Sequence, residues 1–125
     1  MFRSALERGE APKVFEDGGQ MRDFVHVRDV ARANVRALEA VTSPEPAPFV
    51  AYNVCSGEPV SIREVADLVA RGTGSDLTPE VTGGYRLGDV RHIVASPERA
   101  VAELGFEAEV RPAQGLPEFA HAPLR

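Results

Sequence analysis

Between Val30 and Val41 apolar side chains recur every three or four residues, at Val30, Ala31, Val35, Leu38 and Val41. That spacing places them on one face of a helix, predicted to continue to about Thr42. Asp29 stands near its start, where the helix dipole favours negative charge. A second helix has a clear beginning. Ser61 and Glu64 are spaced as a capping box, Val60 and Val65 can close a hydrophobic staple around it, and Ile62, Val65, Ala66 and Val69 form the buried stripe. Gly72 or Gly74 ends it. A third helix is punctuated at both ends, with Ser96 as N-cap, Pro97 at the first helical position and Gly105 at the left-handed C-terminal position. Phe106 can then fold back onto the preceding turn.

Alternation is weaker than helical periodicity in this chain. Val14-Phe15 reads as a short strand ended by the turn Asp17-Gly18-Gly19. Phe24-Val25-His26-Val27 reads as a second strand, Phe49 to Cys55 as a third and His92-Ile93-Val94-Ala95 as a fourth. A short helix is expected near Leu116 to His121. The prolines of Ser43-Pro44-Glu45-Pro46-Ala47-Pro48 exclude helix and mark a surface loop. The result is an α/β chain with few strands, no repeated βαβ unit and no internal repeat.

Length and charge narrow the picture. At 125 residues the chain is the size of one domain. A net charge of −5, from 14 basic and 19 acidic residues, argues against a nucleic-acid-binding surface. Thirteen of the 14 basic residues are arginine and only Lys13 is lysine, which supplies many planar, bidentate anion-binding groups. The single cysteine, Cys55, permits no internal disulfide and no cysteine-based metal site, and its apolar surroundings predict a buried, inert thiol. His26, His92 and His121 lack close metal-ligand spacing. The amino terminus has no apolar run of signal-peptide length, and no segment approaches the roughly 20 apolar residues that span a bilayer. The expected setting is the reducing cytoplasm, with neither membrane nor nucleic acid as partner.

No glycine-rich dinucleotide loop follows a strand, and there is no P-loop. The nearest pattern, Gly72-Thr73-Gly74, follows a helix and lacks a third glycine. The remaining candidates are arginines beside turns: Arg22-Asp23 after Gly18-Gly19, and Arg86 with Asp89 after Gly83-Gly84. A guanidinium fork can donate two parallel hydrogen bonds to a diphosphate, and glycine lets a ligand approach backbone. The same residues can equally form loop ion pairs, Arg22 with Asp23 or Arg86 with Asp89.

The segment from Pro12 to Ala31, with Gly18-Gly19-Gln20-Met21-Arg22-Asp23-Phe24-Val25-His26-Val27-Arg28-Asp29-Val30-Ala31 at its heart, resembles the G-x-x-x-R-D-[FY]-[VI]-H-V-x-D-[VL]-A signature of extended short-chain dehydrogenases. More narrowly it is similar to the nucleotide-sugar epimerases and dehydratases, of the UDP-glucose 4-epimerase kind. Three further blocks fit in the same order: Tyr52-Asn53-Val54-Cys55-Ser56-Gly57 with Ser61-Ile62-Arg63-Glu64-Val65, then Arg86-Leu87-Gly88-Asp89-Val90-Arg91, then Ala95-Ser96-Pro97-Glu98-Arg99-Ala100 with Glu103-Leu104-Gly105-Phe106.

The resemblance implies a small mixed helix/strand substrate-binding lobe, residues 1–125, without the family's Rossmann core. That core binds NAD and carries a catalytic Tyr-x-x-x-Lys. Here the residues four beyond Tyr52 and Tyr85 are Ser56 and Asp89, and Lys13 precedes both tyrosines. The resemblance therefore implies no catalytic pair and no cofactor site in this chain, with NAD held by the complete enzyme. There NAD would oxidise the sugar, commonly at C4, and the ketone would allow epimerisation or elimination. On the substrate side, Arg22 and Arg86 match arginines that contact the diphosphate of a UDP- or dTDP-sugar. Asp89 matches an acid that bonds the ribose, Phe15 a residue that packs on the base, and Asn53 the family's Tyr-Asn position. Phe24 stands where some members carry tyrosine, Cys55 replaces a common glycine, and Ser96 replaces an aspartate. Surface that packs on a Rossmann portion would be exposed in this chain alone, which predicts self-association, for instance as a homodimer.

Overall fold

A computed structural model of the chain describes residues 1–43 and 49–123. The elements in order are α1 (Phe2–Glu7), β1 (Lys13–Val14), β2 (Met21–Arg22), α2 (Val27–Val41), β3 (Val60–Ser61), α3 (Ile62–Gly72), β4 (Glu80–Val81), β5 (His92–Ile93), α4 (Glu98–Leu104) and α5 (Pro112–Phe119). Every strand is two residues long. β1 pairs in parallel with β4, while β2 lies between antiparallel β3 and parallel β5.

The α3 helix forms as its punctuation predicts. Ser61 Oγ accepts from the Glu64 N–H, and the Glu64 carboxylate accepts from the Ser61 N–H at 2.7 Å, which also holds the Glu64 carboxyl below its ordinary pKa. Val65, Ala66, Val69 and Ala70 are buried, with Val60 packed beside them. Leu6 of α1 and Leu116 and Ala120 of the α5 region complete this cluster. A smaller cluster of Ala33, Ala100 and Phe106 joins α2 to α4. Gly105 takes φ 58° and Phe106 donates its N–H back to Ala100 O, as the glycine at the end of α4 requires. The helix itself begins one residue later than expected. Pro97 is its N-cap, and Ser96 Oγ still accepts from the Glu98 N–H.

Several elements differ from the sequence reading. The strand expected over Phe24–Val27 lies earlier, at Met21–Arg22, because His26 is the N-cap of α2 and its Nδ1 accepts from the Arg28 N–H. The other strands are shorter or shifted, at Lys13–Val14 and His92–Ile93, and the last helix starts earlier, with Pro112 at its first turn. Phe49–Cys55 forms no strand. Among the described residues none of its backbone groups bonds another backbone group, so no neighbouring strand from this chain meets it. The proline loop expected at 44–48 lies outside the described residues.

The apolar stripe of α2 is formed but left largely uncovered. Its buried residues are Asp29 and Ala33, whereas Val35, Leu38 and Val41 are 55%, 62% and 62% exposed. The helix is amphipathic as predicted, but α4 and the loop after it cover only the Ala33 side. Asp29 is buried to 1% exposure and fully engaged: it pairs with Arg32 at 2.7 Å and accepts the N–H groups of Glu109 and Val110.

Where α3 crosses α5, Gly72 leaves room for backbone alone. A Cβ there would stand 2.6 Å from Pro117 O and 2.7 Å from Pro117 Cα. Helix propensity favours alanine by about 1 kcal/mol, yet a clash with backbone cannot be relieved by a rotamer change. Gly72→Ala is expected to cost a net 1–3 kcal/mol, roughly the range for overpacking. A urea denaturation midpoint equal to that of the parent chain would refute the tight crossing.

Candidate functional site

The segment between β1 and β2 makes a sharp return. Glu16 adopts φ 51°, a left-handed backbone that few non-glycine residues take. Gly18, at φ 75°, passes so close to Val14 and Arg63 that a Cβ would meet them at 2.8 and 2.9 Å. The return leaves Phe15 half-buried at the end of β1 and Arg22 at the end of β2, facing the same side.

A second segment, Gly83 to Arg91, runs across this return as a strap. The Glu16 N–H donates to Gly84 O at 2.7 Å, which pins one end. At the other end Arg22 donates Nη2 to Val90 O at 2.6 Å and Nη1 to Arg91 O at 3.0 Å, with a further bond to Met21 O at 2.8 Å. Arg91 in turn bonds Asp17 at 2.6 Å and Glu16 at 3.1 Å. This Arg91 contact, assisted by the Gly19 N–H, holds the exposed Asp17 carboxyl down at about 2.

Between the two pins the strap carries Arg86 and Asp89. The Arg86 guanidinium lies over the Phe15 ring, 5.1 Å from its centroid. Phe15, Arg22, Arg86 and Asp89 therefore line one cavity of about 830 Å³, together with Lys13, Gln20, His26 and Arg111. Val65, Val69, Leu116 and Phe119 supply its apolar wall. Four of the five residues singled out from the sequence are brought together. Asn53 is not: it is exposed and lies outside the cavity wall.

The loop ion pairs considered as an alternative do not form among the described residues. Arg22 turns to carbonyls, and Asp23 turns the other way to accept the N–H groups of Ser56 at 2.6 Å and Gly57 at 3.1 Å. Arg86 meets Phe15 rather than Asp89. Sequence reasoning missed Lys13, Gln20, His26 and Arg111 as cavity residues, since their approach depends on how α2, α3 and α5 pack. Gln20 alone had a local sign, its place between the glycine turn and Arg22.

The cavity can hold an anion with an aromatic group. Three of five Arg22 N–H groups are committed to carbonyls, which leaves two, and Arg86 makes no ion pair among the described residues. The glycines at 72 and 74 sit at the C-terminal end of α3, where carbonyls face outward, the wrong pole for a pyrophosphate. Cys55 is buried, and burial first, then the nearby Asp23, pushes its thiol up, which makes it a poor nucleophile. No helix is long and apolar enough to cross a membrane among the described residues.

Two outcomes test the strap. Arg22→Ala should speed amide hydrogen exchange in residues 90–92 without any ligand present, because the loop loses its anchor. Exchange unchanged there would make Arg22 a bystander to the loop. For Asp17 the folded pKa, about 2, is below its ordinary 3.8, so the Arg91 contact is intact above about pH 4 and is lost as pH falls toward 2. In Arg91→Ala the carboxyl titration followed by carbon NMR should move back toward 3.8, short of it because the Gly19 N–H remains.

Comparison with known proteins identifies relatives of the chain. The family model described as the NAD dependent epimerase/dehydratase family matches residues 1–55. The dTDP-L-rhamnose 4-epimerase of Burkholderia thailandensis is 34% identical over 117 residues, covering 94% of this chain and 31% of that protein. The UDP-glucose 4-epimerase of Corynebacterium glutamicum is 37% identical over 93 residues, 74% of this chain and 27% of its own length. Among solved structures, the UDP-glucose 4-epimerase of Thermotoga maritima with UDP-glucose superimposes with a TM-score of 0.79 at 32% identity, covering 96% of this chain and 37% of that one. The chain thus spans about a third of the length of the curated relatives it matches. On sequence and fold together, the chain belongs to the NAD-dependent epimerase/dehydratase family of extended short-chain dehydrogenases.

Proposed function

We propose that this chain is the substrate-holding lobe of an NAD-dependent nucleotide-sugar epimerase or dehydratase, binding the nucleoside diphosphate of a UDP- or dTDP-sugar. The observation that carries the reading is the convergence of Phe15, Arg22, Arg86 and Asp89 on one cavity from segments some 70 residues apart. Each supplies a distinct part of such a ligand's chemistry. The Phe15 ring offers a stacking face for a base. The free N–H groups of Arg22 and the Arg86 fork offer charge-assisted hydrogen bonds to phosphate oxygens. The Asp89 carboxylate can accept from ribose hydroxyls. Asn53 stays outside this proposal.

The lobe positions and does not react. No Tyr-x-x-x-Lys pair is present in its sequence, and its glycines do not make a dinucleotide cradle. NAD, which relatives such as the UDP-glucuronic acid 4-epimerase of Bacillus cereus hold in the solved complex, would be bound by a Rossmann portion outside these residues. What the lobe contributes is orientation: holding the diphosphate confines the sugar to one approach, which lowers the entropic barrier of a later step.

Two exposed features support a Rossmann partner. The Val35–Leu38–Val41 face of α2 is solvent-facing, and the extended run from Phe49 to Cys55 has backbone groups without strand partners among the described residues. A sheet edge with helices on its face would satisfy both at once. Without it, the same surface favours pairing of two copies.

Nitrogen–proton NMR titration of the chain with UDP and dTDP tests the binding reading. Saturable shifts should cluster at Phe15, Arg22 and Arg86, and Arg22→Ala or Arg86→Ala should each weaken UDP about tenfold or more, the scale of a charge-assisted bond. A folded sample that shows no shift would overturn it. Light scattering tests the surface: the parent chain should self-associate and Leu38→Glu should shift it toward monomer. A strictly monomeric parent would contradict the partner face.

A further inference from the structure

We propose that Arg86 sets the lobe's discrimination between a nucleoside diphosphate and the bare nucleoside, by standing on the ring face of Phe15 that a base would use. The inference rests on the preceding reading of Phe15 as the base-stacking residue and deepens it. Its starting point is a geometric conflict. Two residues assigned to different parts of one ligand are in contact with each other, guanidinium over ring at 5.1 Å.

One edge of the ring is packed. Gly84 lies against its Cδ1–Cε1 edge, where a Cβ would stand 3.5 Å from Cδ1, and its carbonyl is tied to the Glu16 N–H. Arg86 can move. It is exposed, and among the described residues its side chain's only hydrogen-bond partner is the Met1 sulfur at 3.9 Å. Gly83 and Gly88 flank it with φ 69° and 88°, and nothing lies within 4 Å of where a side chain at either would begin. The strap is pinned at Gly84 O, just inside Gly83, and at the Val90 and Arg91 carbonyls, beyond Gly88, so Arg86 and Gly88 sit on the span between the pins.

The consequence differs for ligands with and without phosphate. A nucleoside that stacks on Phe15 displaces the guanidinium and gives it no partner in exchange. A nucleoside diphosphate displaces it and supplies an anion that the fork can hold bidentately. Loss of the ring contact therefore penalises the nucleoside alone. An exposed cation–π contact is worth roughly a two- to fivefold change in affinity.

The test uses the full 125-residue chain and two probes, uridine and UDP, followed by NMR at the uracil ring protons and, where Phe15 is present, at its ring protons. In Arg86→Ala, uridine should bind about two- to fivefold more tightly while UDP binds more weakly, so the two affinities move in opposite directions. In a Phe15→Leu background the same Arg86→Ala change should leave uridine affinity where it was. If UDP weakens but uridine is unchanged, weakened or undetectable in both proteins, Arg86 is a phosphate clamp only and the proposal is wrong. If the parent chain shows no UDP-dependent shift at Phe15, the underlying reading of the site has failed and the proposal falls with it.

Discussion

With strands of only two residues, this fold has little ladder hydrogen bonding to hold its connecting segments, and side chains must satisfy loop backbone instead. Two carboxylates do most of this. Asp23 accepts the N–H groups of Ser56 and Gly57, and buried Asp29 accepts those of Glu109 and Val110 while pairing with Arg32. Arg22 does the converse, donating to the carbonyls of Val90 and Arg91. One stretch of eight residues thus fastens three loops that are remote in sequence. Two of those loops supply cavity residues, Arg86 and Asp89 from one and Val110 and Arg111 from the other.

That arrangement gives the Arg-Asp pair at 22–23 a meaning that charge alone would not. Adjacent opposite charges invite the reading of a local ion pair, yet successive residues of extended backbone point to opposite sides. Arg22 serves the strap on one side and Asp23 serves the Ser56–Gly57 turn on the other. The same alternation leaves part of the Arg22 fork facing the cavity. Its structural and ligand-facing groups are different N–H atoms of one guanidinium.

How much was legible in the sequence follows the range of the interaction involved. The α3 helix is written in a capping box and a stripe, and Gly105 with Phe106 ends α4, because these depend on neighbours within one turn. The strands were placed poorly because two residues show no alternation. Which face of α2 is buried could not be read for a different reason. Val35, Leu38 and Val41 do form an apolar stripe, but periodicity says that a face wants cover, not that this chain supplies it. At the site, Phe15, Arg22, Arg86 and Asp89 were legible through family resemblance, whereas the contact between Arg86 and Phe15 spans 71 residues and leaves no local trace.

The clasp at the other end of the cavity has a bearing on how the chain comes to be folded at all. Arg3 of α1 bonds the carbonyls of Phe119 and Ala122, and α1 and α5 both rest on α3. On a ribosome, Leu6 and the first turn of α1 emerge long before the residues that cover them. The apolar wall they build with Leu116 stays open until α5, about a hundred residues later, has been made. Through that interval α1 is a short segment too small to hold its helix alone. The time between α1 and α5 is therefore when this lobe is most exposed to misassociation, and α5 is the element whose arrival ends that exposure.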